Sequence, residues 1–112
     1  MTSNRLAALA EEQVLYLTTI GRSSGVPRTI EIWFTYHAGK LYLHAERGQS
    51  AQWVQNILRH AQVHVRLGPC EFAGQARILT AHADQTLWQT VAELSRRKYG
   101  WGEGLPVEIT QL

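Results

Sequence analysis

The chain has 112 residues, 45% of them hydrophobic, with eleven basic and nine acidic side chains for a formal net charge of +2. This is one domain, large enough for a core and too short for two. The slight charge excludes a strongly basic nucleic-acid binder, and the single cysteine, Cys70, excludes an internal disulfide.

In chain order, the first element is a short helix with Ser3 as N-cap and Leu6, Leu9 and Ala10 on one face. The apolar run 6–10 is too short and wrongly flanked for a signal peptide core, and no later stretch approaches a membrane span. A reducing, cytoplasmic setting is expected. A strand follows at about Val14–Ile20. A turn of two glycines, two serines and a proline, flanked by Arg22 and Arg28, leads into a second strand running from Arg28 to about Tyr36. Along it Arg28, Ile30, Ile32 and Phe34 alternate with Thr29, Glu31, Trp33 and Thr35, which predicts that both faces are covered. His37–Lys40 is a hairpin turn with Gly39 at the left-handed position, and Leu41–Ala45 is the third strand.

After the polar turn 46–50, Ser50 is the expected N-cap of a helix over 51–60 whose apolar face carries Trp53, Val54, Ile57 and Leu58. Gln62–Leu67 is a fourth strand by strict alternation. Gly68-Pro69 turns the chain into a fifth, Glu71–Leu79, in which Gly74 marks a bulge or a close backbone approach. A long helix over 83–98 buries Leu87, Trp88, Val91 and Leu94 and stops at Gly100. Residues 106–110 add a short final strand. Five or six antiparallel strands with a helix inserted after the third make an α+β plan, and a sheet this short with aromatics on both faces is satisfied by curling into a small barrel.

Two places carry ligand chemistry. The glycine turn with Arg22 and Arg28 offers backbone N–H groups and two guanidinium charges to an anion, or is an ordinary hairpin with solvated arginines. Arg47-Gly48 opens the helix of Trp53 and Asn56. Its amino end favours anions, Trp53 either borders a flat ligand or packs in the core, and Asn56 offers both a donor and an acceptor. No nucleophile elbow, phosphate-binding lysine loop or dinucleotide glycine fingerprint is present. His60 and His64 end a helix and sit in a strand, so their four-residue spacing need not bring them together on a metal, and Cys70 has no recognisable basic partner nearby.

The stretch from Leu17 to Ile30, LTTIGRSSGVPRTI, resembles the signature of the deazaflavin (coenzyme F420)-dependent nitroreductase family. The likeness continues through 39–43, Arg47-Gly48, Trp53, Asn56–Arg59, Val63–Val65, 76–80 and Pro106-Val107. The resemblance implies the flavin-binding split β-barrel of the pyridoxamine-phosphate oxidase-like group, with two to three helices in a single domain over 1–112. It further implies a homodimer and hydride transfer between F420 and a small electron acceptor such as a quinone or nitroaromatic. FMN is the alternative cofactor, and non-catalytic binding of a flavin- or haem-type ligand the alternative role. By the same resemblance, Arg28, Thr29 and Ile30 lie along the cofactor, Arg47 and Gly48 grip its phosphate, Trp53 and Asn56 belong to the pocket, and Arg22 stands in the signature turn. The chain departs from the family at Arg47, usually lysine, at Glu31, usually proline, and at His60-Ala61, usually Asn-Pro. No metal and no protein acid or base is required.

Overall fold

The structure, a computed structural model, describes residues 2–112. Its elements are α1 (Thr2–Ala8), β1 (Leu15–Ile20), β2 (Pro27–Ile32), β3 (Thr35–His37), β4 (Lys40–Ala45), α2 (Gln52–Arg59), β5 (Gln62–Leu67), β6 (Cys70–Ile78), α3 (Gln85–Tyr99) and β7 (Leu105–Gln111). All seven strands form one sheet in the order β2-β1-β5-β6-β7-β4-β3, antiparallel throughout.

That order forces the barrel. The two edge strands, β2 and β3, are separated in sequence by only Trp33 and Phe34. Laid flat, seven strands would put the outer two about 29 Å apart, whereas a two-residue link spans at most roughly 10 Å. The sheet therefore curls until its edges meet. The interior is filled by alternation along β1, β4, β5 and β7: Leu15, Leu17, Leu41, Leu43, Val63, Val65, Leu67, Val107 and Ile109 are buried in one cluster, to which Leu6 of α1 and Val54 and Ile57 of α2 belong. Gly74 lies where β6 crosses this interior, and a Cβ there would come within 2.8 Å of the Ile109 side chain, the close approach expected of it. A smaller cluster of Tyr42, Leu79 and Val91 seats α3 against the outside of the sheet.

The expected second strand is two strands. Its interruption is made by the far end of the chain. The Phe34 N–H donates to Tyr99 Oη (3.1 Å), the Phe34 carbonyl accepts from Lys98 Nζ (3.0 Å), and the Trp33 ring stacks on Tyr99 with centroids 4.3 Å apart. Lys98 also donates to the carbonyls of Ala10 and Glu12. With Phe34's backbone groups committed to α3, no ladder runs through it. Nor are both faces of β2 covered. Thr29 and Glu31 are exposed, because this strand is an edge whose outward residues meet only Thr18 and Tyr16 across β1.

Two capping expectations also change. Ser3 lies within α1 rather than before it, and its side chain falls outside the described residues. Ser50 belongs to a 3₁₀ turn, Gly48–Ser50, where its hydroxyl donates to the Arg47 carbonyl (2.7 Å), and Ala51 precedes α2 without a side-chain cap. The hairpin 37–40 forms as expected, with Ala38 (φ 50°) and Gly39 (φ 86°) both left-handed, the two-residue geometry that matches strand twist. No described helix is long and apolar enough to cross a membrane.

Candidate functional site

On β1, Leu15, Leu17 and Thr19 face the interior, and their cross-strand partners on β2 are Ile32, Ile30 and Arg28. Partners share a face, so Arg28 and Ile30 turn to the barrel's inner side at its open end, while Thr29 turns outward and exchanges a hydroxyl hydrogen bond with Thr18 (2.7 Å). Arg28 and Ile30 line a cavity of about 500 Å³ with Thr19, Arg22, Ser23, Ser24, Gln52, Trp53 and Asn56. Two arginines and three hydroxyl side chains stand in its wall, with no carboxylate among the described lining residues. The sequence segments 19–30 and 52–56 thus meet in one basic cavity.

Asn56 explains how they meet. It is buried on α2, 5% exposed. Its Oδ1 accepts from the Arg22 backbone N–H and from Arg22 Nη1, both at 3.1 Å, and its Nδ2 donates to Thr19 Oγ1 at 3.1 Å. The side chain ties the glycine turn and β1 to the helix, so its polar groups are engaged in positioning Arg22. The turn is closed internally by the Gly21 N–H on the Val26 carbonyl and the Gly25 N–H on the Gly21 carbonyl. Arg28 makes no side-chain hydrogen bond or ion pair to the described residues. Arg47 and Gly48 are not among the lining residues, and Arg47 is exposed beside the 3₁₀ turn.

A second cavity, about 720 Å³, shares Ile30 and Trp53 with the first and continues along the seam where the sheet closes, lined further by Val14, Glu31, Ile32, Trp33, His44, Glu46 and Trp101. Most of this chamber was not read from the sequence. The signal available was compositional: three of the chain's four tryptophans converge there. His44 Nε2 is buried without a hydrogen-bond partner, and the Trp101 ring lies edge-on to the imidazole. Burial, then the charge of Arg96, lowers its pKa to about 4. Glu31 Oε1 accepts from the Tyr16 hydroxyl (3.2 Å) and stays solvent-exposed.

Glu108, 5% exposed on β7, accepts from Tyr42 (2.8 Å) and Arg77 (3.1 Å), and Arg77 reaches on to Asp84. Burial opposes ionisation of Glu108, but the Arg77 and Tyr42 hydrogen bonds outweigh it and hold the carboxyl below its ordinary value. His64 pairs with Glu71 (3.4 Å) and His60 is exposed, so the two histidines do not converge. No group of described residues has the makings of a metal site. Buried Cys70 receives a hydrogen bond from Arg5 (3.1 Å).

The seven strands curl into a split β-barrel. The family model for F420H(2)-dependent quinone reductase matches residues 3–110, and the chain belongs to that family. The resemblance in the stretch 17–30 is thereby borne out. Among solved structures, an F420-H2 dependent reductase, FDR-A, is similar at 21% identity and TM-score 0.68, over 89% of this chain and 95% of that one. A candidate pyridoxamine 5′-phosphate oxidase from Listeria innocua is similar at 19% identity and TM-score 0.76, over 99% and 94%. An FAD-binding protein from Mesorhizobium loti is similar at 16% identity and TM-score 0.72, over 100% and 90%. At these identities the likeness is one of fold. No curated protein matches the chain.

Proposed function

We propose that the protein is an oxidoreductase that binds F420, with FMN as the competing cofactor, and passes a hydride between it and a small acceptor such as a quinone or nitroaromatic. One observation carries the reading beyond family membership. The basic cavity, with Arg22 and Arg28 and no lining carboxylate, opens over Ile30 and Trp53 into a tryptophan-walled chamber. This donor set fits a ligand with an anionic chain at one end and a flat ring at the other. When bound, the deazaflavin supplies the hydride chemistry. The chain's share is to hold the anionic end with Arg22, Arg28 and the Ser23–Ser24 segment, to orient the ring against Ile30 and Trp53, and to keep water from the reacting face with the tryptophans. Thr29, Arg47 and Gly48 belong to the rim in this reading, where Arg47 adds to the positive field without a direct bond. A homodimer belongs to it too, since Trp33 (46%), Val26 (49%) and Leu58 (57%) remain exposed.

The test is absorbance titration of the purified protein with F420 and with FMN, repeated for Arg28→Gln and Arg66→Gln at low and high salt. Arg66 lies on the outward face of β5, its guanidinium 4.1 Å above the Tyr16 ring. A charge-assisted contact to phosphate contributes about 1.5–3 kcal/mol, roughly ten- to a hundredfold in affinity. The Arg28 loss should be of that size and largely salt-resistant. Any Arg66 loss should be small and fade as the Debye length shortens below about 8–10 Å. Equal, salt-sensitive losses would reduce the site to a general positive field. Turnover of bound reduced cofactor separates an enzyme from a carrier.

A further inference from the structure

The two chambers have opposite charge. The first carries Arg22 and Arg28; the second is lined by Glu46, by Trp33, Trp53 and Trp101, by His44 and, at its outer edge where its carboxylate meets Tyr16, by Glu31, with no lysine or arginine among its described lining residues. Arg96, whose charge reaches His44 from α3, is paired with Glu93 at 3.3 Å and does not line the chamber. Tryptophan faces attract cations through the ring quadrupole, and carboxylates at the rim add to that field while opposing an anion.

We infer that the second chamber is a charge-selective site that takes planar aromatic cations in preference to their anionic counterparts, with Glu31 and Glu46 setting the preference. It rests on the proposed function only in making that ligand the hydride acceptor; the charge preference is a property of the chain without cofactor. The two carboxylates disfavour an anion in the second chamber and leave the first chamber's arginines unopposed.

The experiment is calorimetric titration of the full chain, free of cofactor and at mildly alkaline pH, with three planar probes of one shape: N-methylacridinium, neutral acridine and acridine carboxylate. N-Methylacridinium should bind at least about tenfold more tightly than the carboxylate, with acridine between them. In the Glu31→Gln, Glu46→Gln double variant the ratio should fall to within about threefold while acridine affinity is kept. Because Glu31→Gln disturbs the contact with Tyr16, Glu46→Gln alone provides the second measure and should lower the ratio partway. Equal binding of the carboxylate, a ratio that survives in the double variant, or no binding of any probe would overturn the inference. F420 titration of the same samples separates the two readings. F420 binding without acridinium binding defeats the charge-selective chamber alone, and the reverse defeats the cofactor assignment alone.

Discussion

Asn56 is the residue on which the basic cavity hangs, and replacing it separates stability from affinity. Asn56→Ala deletes three hydrogen bonds, two accepted from Arg22 and one donated to Thr19. Thr19 is 1% exposed and loses its partner outright, whereas the Arg22 side chain regains water. A buried unsatisfied group costs about 1–3 kcal/mol and a partly exposed bond about 1 kcal/mol, so the variant should lose about 2–4 kcal/mol in urea unfolding. Asn56→Asp keeps the shape and the acceptor facing Arg22, and the Thr19 hydroxyl can donate to it in turn, so its loss should be less than half as large. The same change places a carboxylate in the wall of an anion site. Stability should therefore rank Asn above Asp above Ala, and F420 or FMN affinity should rank Asn above Ala above Asp. If affinity follows the stability order, the cavity does not read charge and the anion assignment fails. An unchanged urea midpoint for Asn56→Ala would show that the tether contributes nothing.

Three further outcomes follow from the geometry. His44 binds its proton less readily in the folded chain, at about 4 against an ordinary 6.5, so folding is unopposed by it above 6.5 and is opposed progressively as pH falls towards 4, by up to about 3 kcal/mol; His44→Phe should flatten that part of the urea midpoint's pH dependence, and an unaltered slope would show that His44 is not held neutral by burial. Ala38 sits at φ 50° in a two-residue hairpin, where asparagine is tolerated better; Ala38→Asn should raise stability by roughly 0.5–1 kcal/mol, and a lower urea midpoint would contradict the turn geometry. Sedimentation at micromolar concentration should show a dimer, and a monomer would mean that the exposed Trp33 and Val26 are open surface.

Where one segment settles its own geometry, the sequence is legible. Gln62–Leu67 alternates strictly because one face meets the core and the other meets water, and the structure places that strand over the same residues. The hairpin at 37–40 is legible because a glycine and a two-residue loop suffice to define it. The break at Trp33-Phe34 is not, because Lys98 and Tyr99 make it from the other end of the chain. Ser50 fails as a cap because it is taken into the 3₁₀ turn Gly48–Ser50, which leaves Ala51 at the cap position and turns the Ser50 hydroxyl to the Arg47 carbonyl; a side-chain preference does not foresee that turn.

The site divides along the same line. Arg22, Arg28, Ile30, Trp53 and Asn56 were singled out from a motif, and they line one cavity because β1 pairs with β2 in a register that puts Arg28 opposite Thr19, while Asn56 bonds both Thr19 and Arg22. The motif is thus a folding instruction as much as a binding one: its threonine and its arginine are the two ends of the Asn56 tether. The tryptophan chamber has no such motif. Its residues come from the segment before β1, β2, the link to β3, β4, the turn before α2, α2 itself and the loop after α3, and they meet only when the sheet closes on itself. Closure is a global consequence of strand order, so the half of the groove that depends on it is visible only in the folded chain. That half is where Glu31 and Glu46 stand, the two carboxylates on which the proposed charge preference rests.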